Sequence, residues 1–310
     1  GKHLDELEKR KNLVLSRMFE LNMIDDTEYA EAKNTRITFQ PQENSNGKAF
    51  HFVFMVREYL ENKYGEDVVE NGGLKIISTL DWNLQKNAEE IVKQGALDNE
   101  KKYKAENAAL VAIDTKTGQI LSLVGSRDYF DKDIDGQYNI ATALRQPGSS
   151  FKPIVYLLAF MKGLTPDTVL FDLPTQFSTY CDAYGNPLSG GDKKKCYMPV
   201  NYDGEYRGPI SLRSALQQSL NIPAVKTLYL VGVQNAINFA KSLGITTLGD
   251  SSRFGLSLVL GGGEVTLLEL TNTYAVFANN GVYNPPAMIL EVKDLGGNVL
   301  EKYTPQEKDV

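Results

Sequence analysis

The feature that most constrains the fold is the stretch at residues 149–162. Phe151, Ile154, Val155, Leu157, Leu158, Phe160 and Met161 leave it apolar on most sides. A helix that is hydrophobic around its circumference has to be enclosed by other elements. The stretch therefore predicts a buried central helix with the rest of a domain packed around it. Upstream, residues 108–113 and 119–124 are two apolar, β-rich runs joined by Asp114-Thr115-Lys116-Thr117-Gly118. That pattern predicts a hairpin and the start of a sheet.

The remaining elements follow from periodicity and punctuation. Residues 2–22 carry Leu4, Leu7, Leu13, Val14, Met18 and Leu21 near the 3.6 period and predict an amphipathic helix. A short helix is expected at 27–33, started at Asp26, with acidic residues in its first turn. Residues 34–48 are polar, with Pro41, Asn44, Ser45, Asn46 and Gly47, and are read as a linker. Helices are expected at 49–64, closed by Gly65, and at 83–104, with a strand at 74–79 between them. Residues 172–209 are rich in turn formers. Helices are expected again at 211–219, 225–231, 235–243 and 267–279.

The central helix opens with chemistry. Ser149 and Lys152 are three residues apart, on one helix face. A serine hydroxyl is a weak nucleophile until a nearby base takes its proton. A lysine can be that base if burial lowers its pKa, and a helix start offers free N–H groups to developing negative charge. The bare Ser-x-x-Lys pattern is common by chance; it recurs at Ser45-Asn46-Gly47-Lys48, in the polar linker. Ser149 could equally be an N-cap followed by a surface lysine, but the apolar helix and the Pro147-Gly148 approach argue against that. Ser219-Leu220-Asn221 is the only Ser-x-Asn in the chain. With Pro223 just beyond, it is expected where a helix gives way to a loop. Alone, the pattern reads as an ordinary helix terminus; following Ser149-x-x-Lys152, Ser219 could relay a proton and Asn221 could hydrogen-bond a substrate amide and the lysine.

These two boxes, in this order, resemble the first two of the three signatures of penicilloyl serine transferases. The segment Arg145-Gln146-Pro147-Gly148-Ser149-Ser150-Phe151-Lys152-Pro153 closely resembles the nucleophile box of class A, bifunctional penicillin-binding proteins. The resemblance extends to Val111-Ala112-Ile113-Asp114 with Thr117-Gly118, to Asn201-Tyr202-Asp203, and to Gly208-Pro209-Ile210-Ser211 running into Ser219-Leu220-Asn221-Ile222-Pro223. It continues through Leu260-Gly261-Gly262-Gly263-Glu264-Val265-Thr266 and Tyr274-Ala275-Val276-Phe277-Ala278-Asn279-Asn280-Gly281. At the N-terminus, Arg10-Lys11-Asn12-Leu13-Val14-Leu15-Ser16-Arg17-Met18 looks like the tail of that family's glycosyltransferase domain. Nothing in residues 1–48 matches that domain's catalytic glutamates.

The resemblance implies an α/β (α+β) fold of penicilloyl serine transferase type: an antiparallel sheet flanked by helices, preceded by a small N-terminal helical linker region. It divides the chain into a glycosyltransferase tail with linker (1–48), an interdomain region (49–107) and a partial transpeptidase domain (108–310). It implies a peptidoglycan D,D-transpeptidase working through a serine acyl-enzyme. Ser149 would be the nucleophile and Lys152 its base; Ser219 and Asn221 would shuttle protons and place substrate. The Ser149 backbone N–H would contribute to the oxyanion hole. Implied partners are peptidoglycan stem peptides, lipid II-derived glycan strands, β-lactam antibiotics and other cell-wall synthesis proteins. The implied setting is extracytoplasmic, with the parent protein anchored to the membrane by a segment outside this chain. No cofactor is required.

The third signature, Lys-Thr-Gly, is where the sequence departs from the family. Lys116-Thr117-Gly118 has the right letters but precedes Ser149 and falls in the hairpin turn. No segment after Gly281 matches, so the chain is expected to stop short of that box. The rival reading is then a non-catalytic or incomplete penicillin-binding fragment. A β-lactamase is disfavoured because no hydrolytic glutamate box is present. Cys181 and Cys196 form a disulfide in an oxidising compartment, worth roughly 3 kcal/mol by loop entropy, or else remain two thiols. Tyr180, Tyr184, Tyr197, Tyr202 and Tyr206 crowd the same insert, as a substrate-gripping rim or as a solvated loop.

Composition closes off other classes. A net charge of −6 over 310 residues gives nucleic-acid binding no electrostatic support. Two His and two Cys disfavour a metal enzyme. The uncharged stretch 270–290 holds four Asn, a Gly and two Pro, which no bilayer helix would carry together.

Overall fold

The computed structural model describes residues 4–35 and 48–310 and divides into two compact units, Gly1–Lys48 and Ala49–Val310. The expected linker at 34–48 lies almost wholly outside the described residues, with most of the second Ser-x-x-Lys.

The first unit is a helix pair, α1 (Leu4–Glu20) and α2 (Asp26–Asn34). The cap of α2 is Asp25. Its side chain accepts from Glu28 N while the Glu28 side chain accepts from Asp25 N, a reciprocal capping box. Phe19 stacks on Tyr29 with ring centres 5.0 Å apart and ties the two helices together.

The second unit opens with α3 (Phe50–Tyr64), α4 (Glu66–Asn71), β1 (Lys75–Ser78) and α5 (Trp82–Tyr103). The hairpin β2 (Leu110–Ile113) and β3 (Ile120–Val124) follows, antiparallel as expected. Its turn is fixed by Asp114, whose carboxylate accepts from the Lys116 and Thr117 amides and the Thr117 hydroxyl. The Lys116 ammonium donates to Asn279 Oδ1 at 2.9 Å, so the Lys-Thr-Gly letters are spent on holding a turn. On β3, Ile120, Ser122, Leu123 and Val124 are all buried, which requires cover on both faces. Helix α5 supplies Ala88 and Val92 against Val124, and Gln85, which bonds to the Ser122 hydroxyl and to both main-chain groups of Leu123. Phe52, Val56 and Leu60 of α3 join Ile120 and Leu123 in a separate cluster.

Beyond the hairpin come α6 (Lys152–Met161), β4 (Val169–Asp172), β5 (Gly208–Ser211), α7 (Leu212–Gln217), α8 (Asn221–Val231), α9 (Val233–Ser242) and α10 (Leu267–Ala278). The chain then turns back through β6 (Val282–Tyr283), β7 (Ile289–Lys293), β8 (Val299–Lys302) and β9 (Lys308–Asp309). Among the described residues the named strands pair antiparallel: β1 with β7, β7 with β8, β4 with β5, and β6 with β9. The core centres on α6. Phe151, Ile154, Val155, Tyr156, Leu158 and Ala159 pack against Leu212, Val225, Leu228, Ile237 and Val276 from four other helices. Enclosure is not complete. Leu157, Phe160 and Met161 line an open apolar cavity of about 490 Å³, and Met161 is 60% exposed.

Three local expectations are corrected. Residues Gly148–Phe151 form a 3-10 turn, and the α-helix begins only at Lys152. The helix expected at 211–219 is shorter, with Ser211 as its N-cap and its last residue at Gln217. Ser219-Leu220-Asn221 does not lead from a helix into a loop. It joins two helices, and Pro223 sits in the first turn of α8, where a missing N–H breaks no intrahelical bond.

Candidate active site

Three turns of backbone deliver the side chains. Pro147 and Gly148, the latter at φ +59°, bring the chain into the 3-10 turn that carries Ser149. Several neighbouring groups brace this turn. Ser150 Oγ donates to Pro147 O at 2.5 Å, and Tyr274 OH donates to Ser150 O at 2.9 Å. Arg145 and Val265 exchange two backbone hydrogen bonds, 2.9 and 3.0 Å. Gly261, at φ +88°, lies so close that a Cβ there would fall 2.2 Å from Gly148 N. Only glycine fits both the conformation and the approach.

Ser149 is exposed, and its hydroxyl makes no hydrogen bond among the described residues. Lys152 is the opposite, 1% exposed within the first turn of α6. Its Nζ donates to Ser219 O (2.6 Å), Ser219 Oγ (3.2 Å) and Asn221 Oδ1 (2.8 Å). Three acceptors match the three donors of an ammonium. Burial pushes its pKa down to about 8, because the charged form has lost its water. Near neutrality a usable fraction is therefore the free amine, with two donors and a lone pair. Ser219 is exposed and holds the left-handed conformation at φ +53°. That kink turns its carbonyl and hydroxyl toward the lysine together.

The structure thus brings Lys152, Ser219 and Asn221 into one hydrogen-bonded group and sets Ser149 one turn upstream of the lysine. Deprotonating a serine hydroxyl requires an accessible hydroxyl and a nearby amine of lowered pKa; both are present here, with a second hydroxyl bonded to that amine. Residues that sequence reasoning did not single out are Gly261, Tyr274, Asp172 and Asn201. Gly261, Tyr274 and Asn201 lie in segments that resemble the family. Asp172 carries no signal of its own; it is a wholly buried carboxylate at the end of β4. The insert between β4 and β5 is closed by a disulfide between Cys181 and Cys196. Phe177 and Tyr197 pack inward there, while Tyr180, Tyr184 and Tyr202 are exposed.

Comparison with known proteins decides the family. The sequence pattern described as "Penicillin binding protein transpeptidase domain" matches residues 108–310. The chain belongs to the penicillin-binding protein transpeptidase family. It is 32% identical to penicillin-binding protein 1A of Aquifex aeolicus (strain VF5), over 99% of this chain and 51% of that protein. It is 33% identical to penicillin-binding protein 2D of Bacillus subtilis (strain 168), over 97% of this chain and 41% of that protein. The chain spans about half or less of the length of these curated relatives. Among solved structures, penicillin-binding protein 1A from Haemophilus influenzae superposes with a TM-score of 0.78 at 23% identity, covering 98% of this chain and 57% of that one. PonA1 from Mycobacterium tuberculosis in complex with penicillin V superposes with a TM-score of 0.62 at 22% identity, covering 82% and 65%. The mixed helix and antiparallel-sheet architecture is that of penicillin-binding protein transpeptidase domains.

Proposed function

We propose that the chain carries the acyl-transfer centre of a peptidoglycan D,D-transpeptidase and that Ser149 is its nucleophile. The observation that carries the reading is the placement of Lys152. Its amine is buried, held by Ser219 and Asn221, and lowered to a pKa of about 8 one turn from an exposed serine. The reaction begins as free Lys152 amine takes the Ser149 proton and Oγ attacks the penultimate D-Ala carbonyl of a stem peptide. No hydrogen bond joins Ser149 to Lys152 in this structure; such catalytic contacts are often long without substrate and tighten in the complex. The peptide C–N bond breaks, and the terminal D-Ala leaves with a proton passed from Lys152 through Ser219 Oγ. The amine of a neighbouring stem then attacks the acyl carbon, gives its proton to Lys152, and Ser149 departs reprotonated. The Ser149 backbone N–H takes part in stabilising the oxyanion. Asn221 orients the substrate amide and the lysine.

A β-lactam follows the same first step. Its ring amide opens, but the leaving amine stays tethered and the acyl-enzyme persists. The substrates proposed are peptidoglycan stem peptides on lipid II-derived glycan strands, with other cell-wall synthesis proteins as partners. The extracytoplasmic setting proposed, with a membrane-anchored parent protein, fits the Cys181–Cys196 disulfide, which persists in oxidising compartments. The test is incubation with a fluorescent penicillin. Covalent labelling of the chain that vanishes in Ser149→Ala is expected. An unlabelled wild-type chain would favour the non-catalytic fragment, and steady turnover of a chromogenic cephalosporin would favour a β-lactamase.

A further inference from the structure

Asp172 and Asn201 lie outside the group described above, yet they determine how it is built. Both are buried, Asp172 at 0% and Asn201 at 3% exposure. A carboxylate can only accept hydrogen bonds. Both Asp172 oxygens take one from Asn201 Nδ2, each at 2.9 Å, and Oδ2 takes a third from Arg207 N at 2.9 Å. The charged side chains around it are Arg207 and Lys226, and the Lys226 ammonium is itself occupied by Phe171 O at 2.6 Å. The nitrogen of the Asn201 amide must therefore face Asp172, where it also meets Glu205 O at 2.8 Å. Its oxygen must face the other way.

In that direction lies the start of α8. Asn201 Oδ1 accepts from Asn221 N at 2.9 Å and Ile222 N at 3.5 Å. First-turn amides have no intrahelical acceptor, and the cap position of α8 is Leu220, which has no side-chain acceptor to offer. Asn201 does the capping from 20 residues upstream. The neighbouring Val200 carbonyl accepts from Asn221 Nδ2 at 2.8 Å. That leaves Asn221 Oδ1 pointing at the Lys152 amine.

We propose that Asp172 and Asn201 are positioning residues for the acyl-transfer centre. The Asp172 carboxylate locks the Asn201 amide, which caps α8 from outside and sets Asn221 Oδ1 against Lys152. This inference rests on the acyl-transfer reading for its functional meaning, but its test reads Lys152 directly.

The measurement is an NMR titration of the chain labelled with carbon-13 at lysine Cε, the Lys152 signal being assigned with Lys152→Met. Circular dichroism at each pH confirms that the protein is folded. Wild-type Lys152 is expected to titrate near 8, against 10.5 for an ordinary lysine. In Asn201→Ala the end of α8 opens, water reaches the amine, and the midpoint rises toward the ordinary value. Asp172→Asn is the milder variant: it keeps the side chain's size and leaves Asn201 in place, but no longer fixes which way the Asn201 amide faces, so that only a part of the molecules turn a donor toward the helix start. It is expected to raise the midpoint by a smaller amount while the protein stays folded. Thr227→Val, which removes a buried hydroxyl bonded to Pro223 O on the same helix, is the control and leaves the midpoint unmoved. If Asp172→Asn titrates with the wild type, or Thr227→Val shifts Lys152 equally, the positioning role is overturned. Failure of penicillin labelling in the wild type would instead sink the acyl-transfer reading and leave this comparison standing.

Discussion

Replacing Lys152 by methionine removes a buried amine and should change how stability depends on pH. The folded protein holds the Lys152 pKa near 8, against 10.5 for the ordinary side chain. Between those values the unfolded chain binds more protons than the folded one, so stability rises with pH across the window. At about 1.4 kcal/mol per tenfold change, the wild type carries a penalty of roughly 3 kcal/mol below pH 8. It sheds most of this by pH 10. Lys152→Met has nothing to shed. Urea unfolding of both proteins at pH 7, 8, 9 and 10 reads the difference, and titrations common to both cancel. The wild type should gain about 2–3 kcal/mol on the variant between pH 7 and 10. A difference that stays flat would mean that the amine is not held out of water, and the argument for Lys152 as a base would lose its support. The same lowered pKa predicts that acylation of Ser149 speeds up as pH rises through about 8.

Other consequences follow from packing and cross-linking. Gly261→Ala puts a Cβ against Gly148 N in a left-handed conformation. It should destabilise by about 1–3 kcal/mol and slow acylation more than a substitution of equal destabilisation elsewhere, measured by urea melts alongside penicillin labelling. Reducing the Cys181–Cys196 disulfide should lower stability by about 3 kcal/mol, seen as a drop in the denaturation midpoint in dithiothreitol that Cys181→Ser reproduces. Leu228→Ala, in the wholly buried face of α8, should lose about 2–5 kcal/mol, measured by urea denaturation.

What was legible in the sequence was what is local. The apolar circumference of 149–162 points to the helix at the centre of the core, and the Ser149–Lys152 spacing needs only one turn to be read. The hairpin at 108–124 followed from two apolar runs and a turn whose chemistry belongs to Asp114. Pro223 is ambiguous in sequence, because proline often marks a helix end, yet the first turn of a helix tolerates it equally well. The three-stranded sheet was less legible because β1 pairs with β7 more than 200 residues later, Lys75 opposite Lys293. Asp172 was not legible at all. Its role comes from contacts with Asn201 and Arg207, 29 and 35 residues away, and no spacing rule connects them. The open side of α6 was also hidden, since an apolar surface facing a cavity reads the same as one facing a helix.

The central claim is that Ser149 forms the covalent bond, and peptide mapping after exposure to penicillin V tests it most directly. Trypsin should release residues 146–162 as one peptide, since Pro153 blocks cleavage after Lys152. Fragmentation should place the penicilloyl group on Ser149, with none on Ser150 and none on Ser219. An adduct on any other residue, or a protein whose mass is unchanged, would contradict the account.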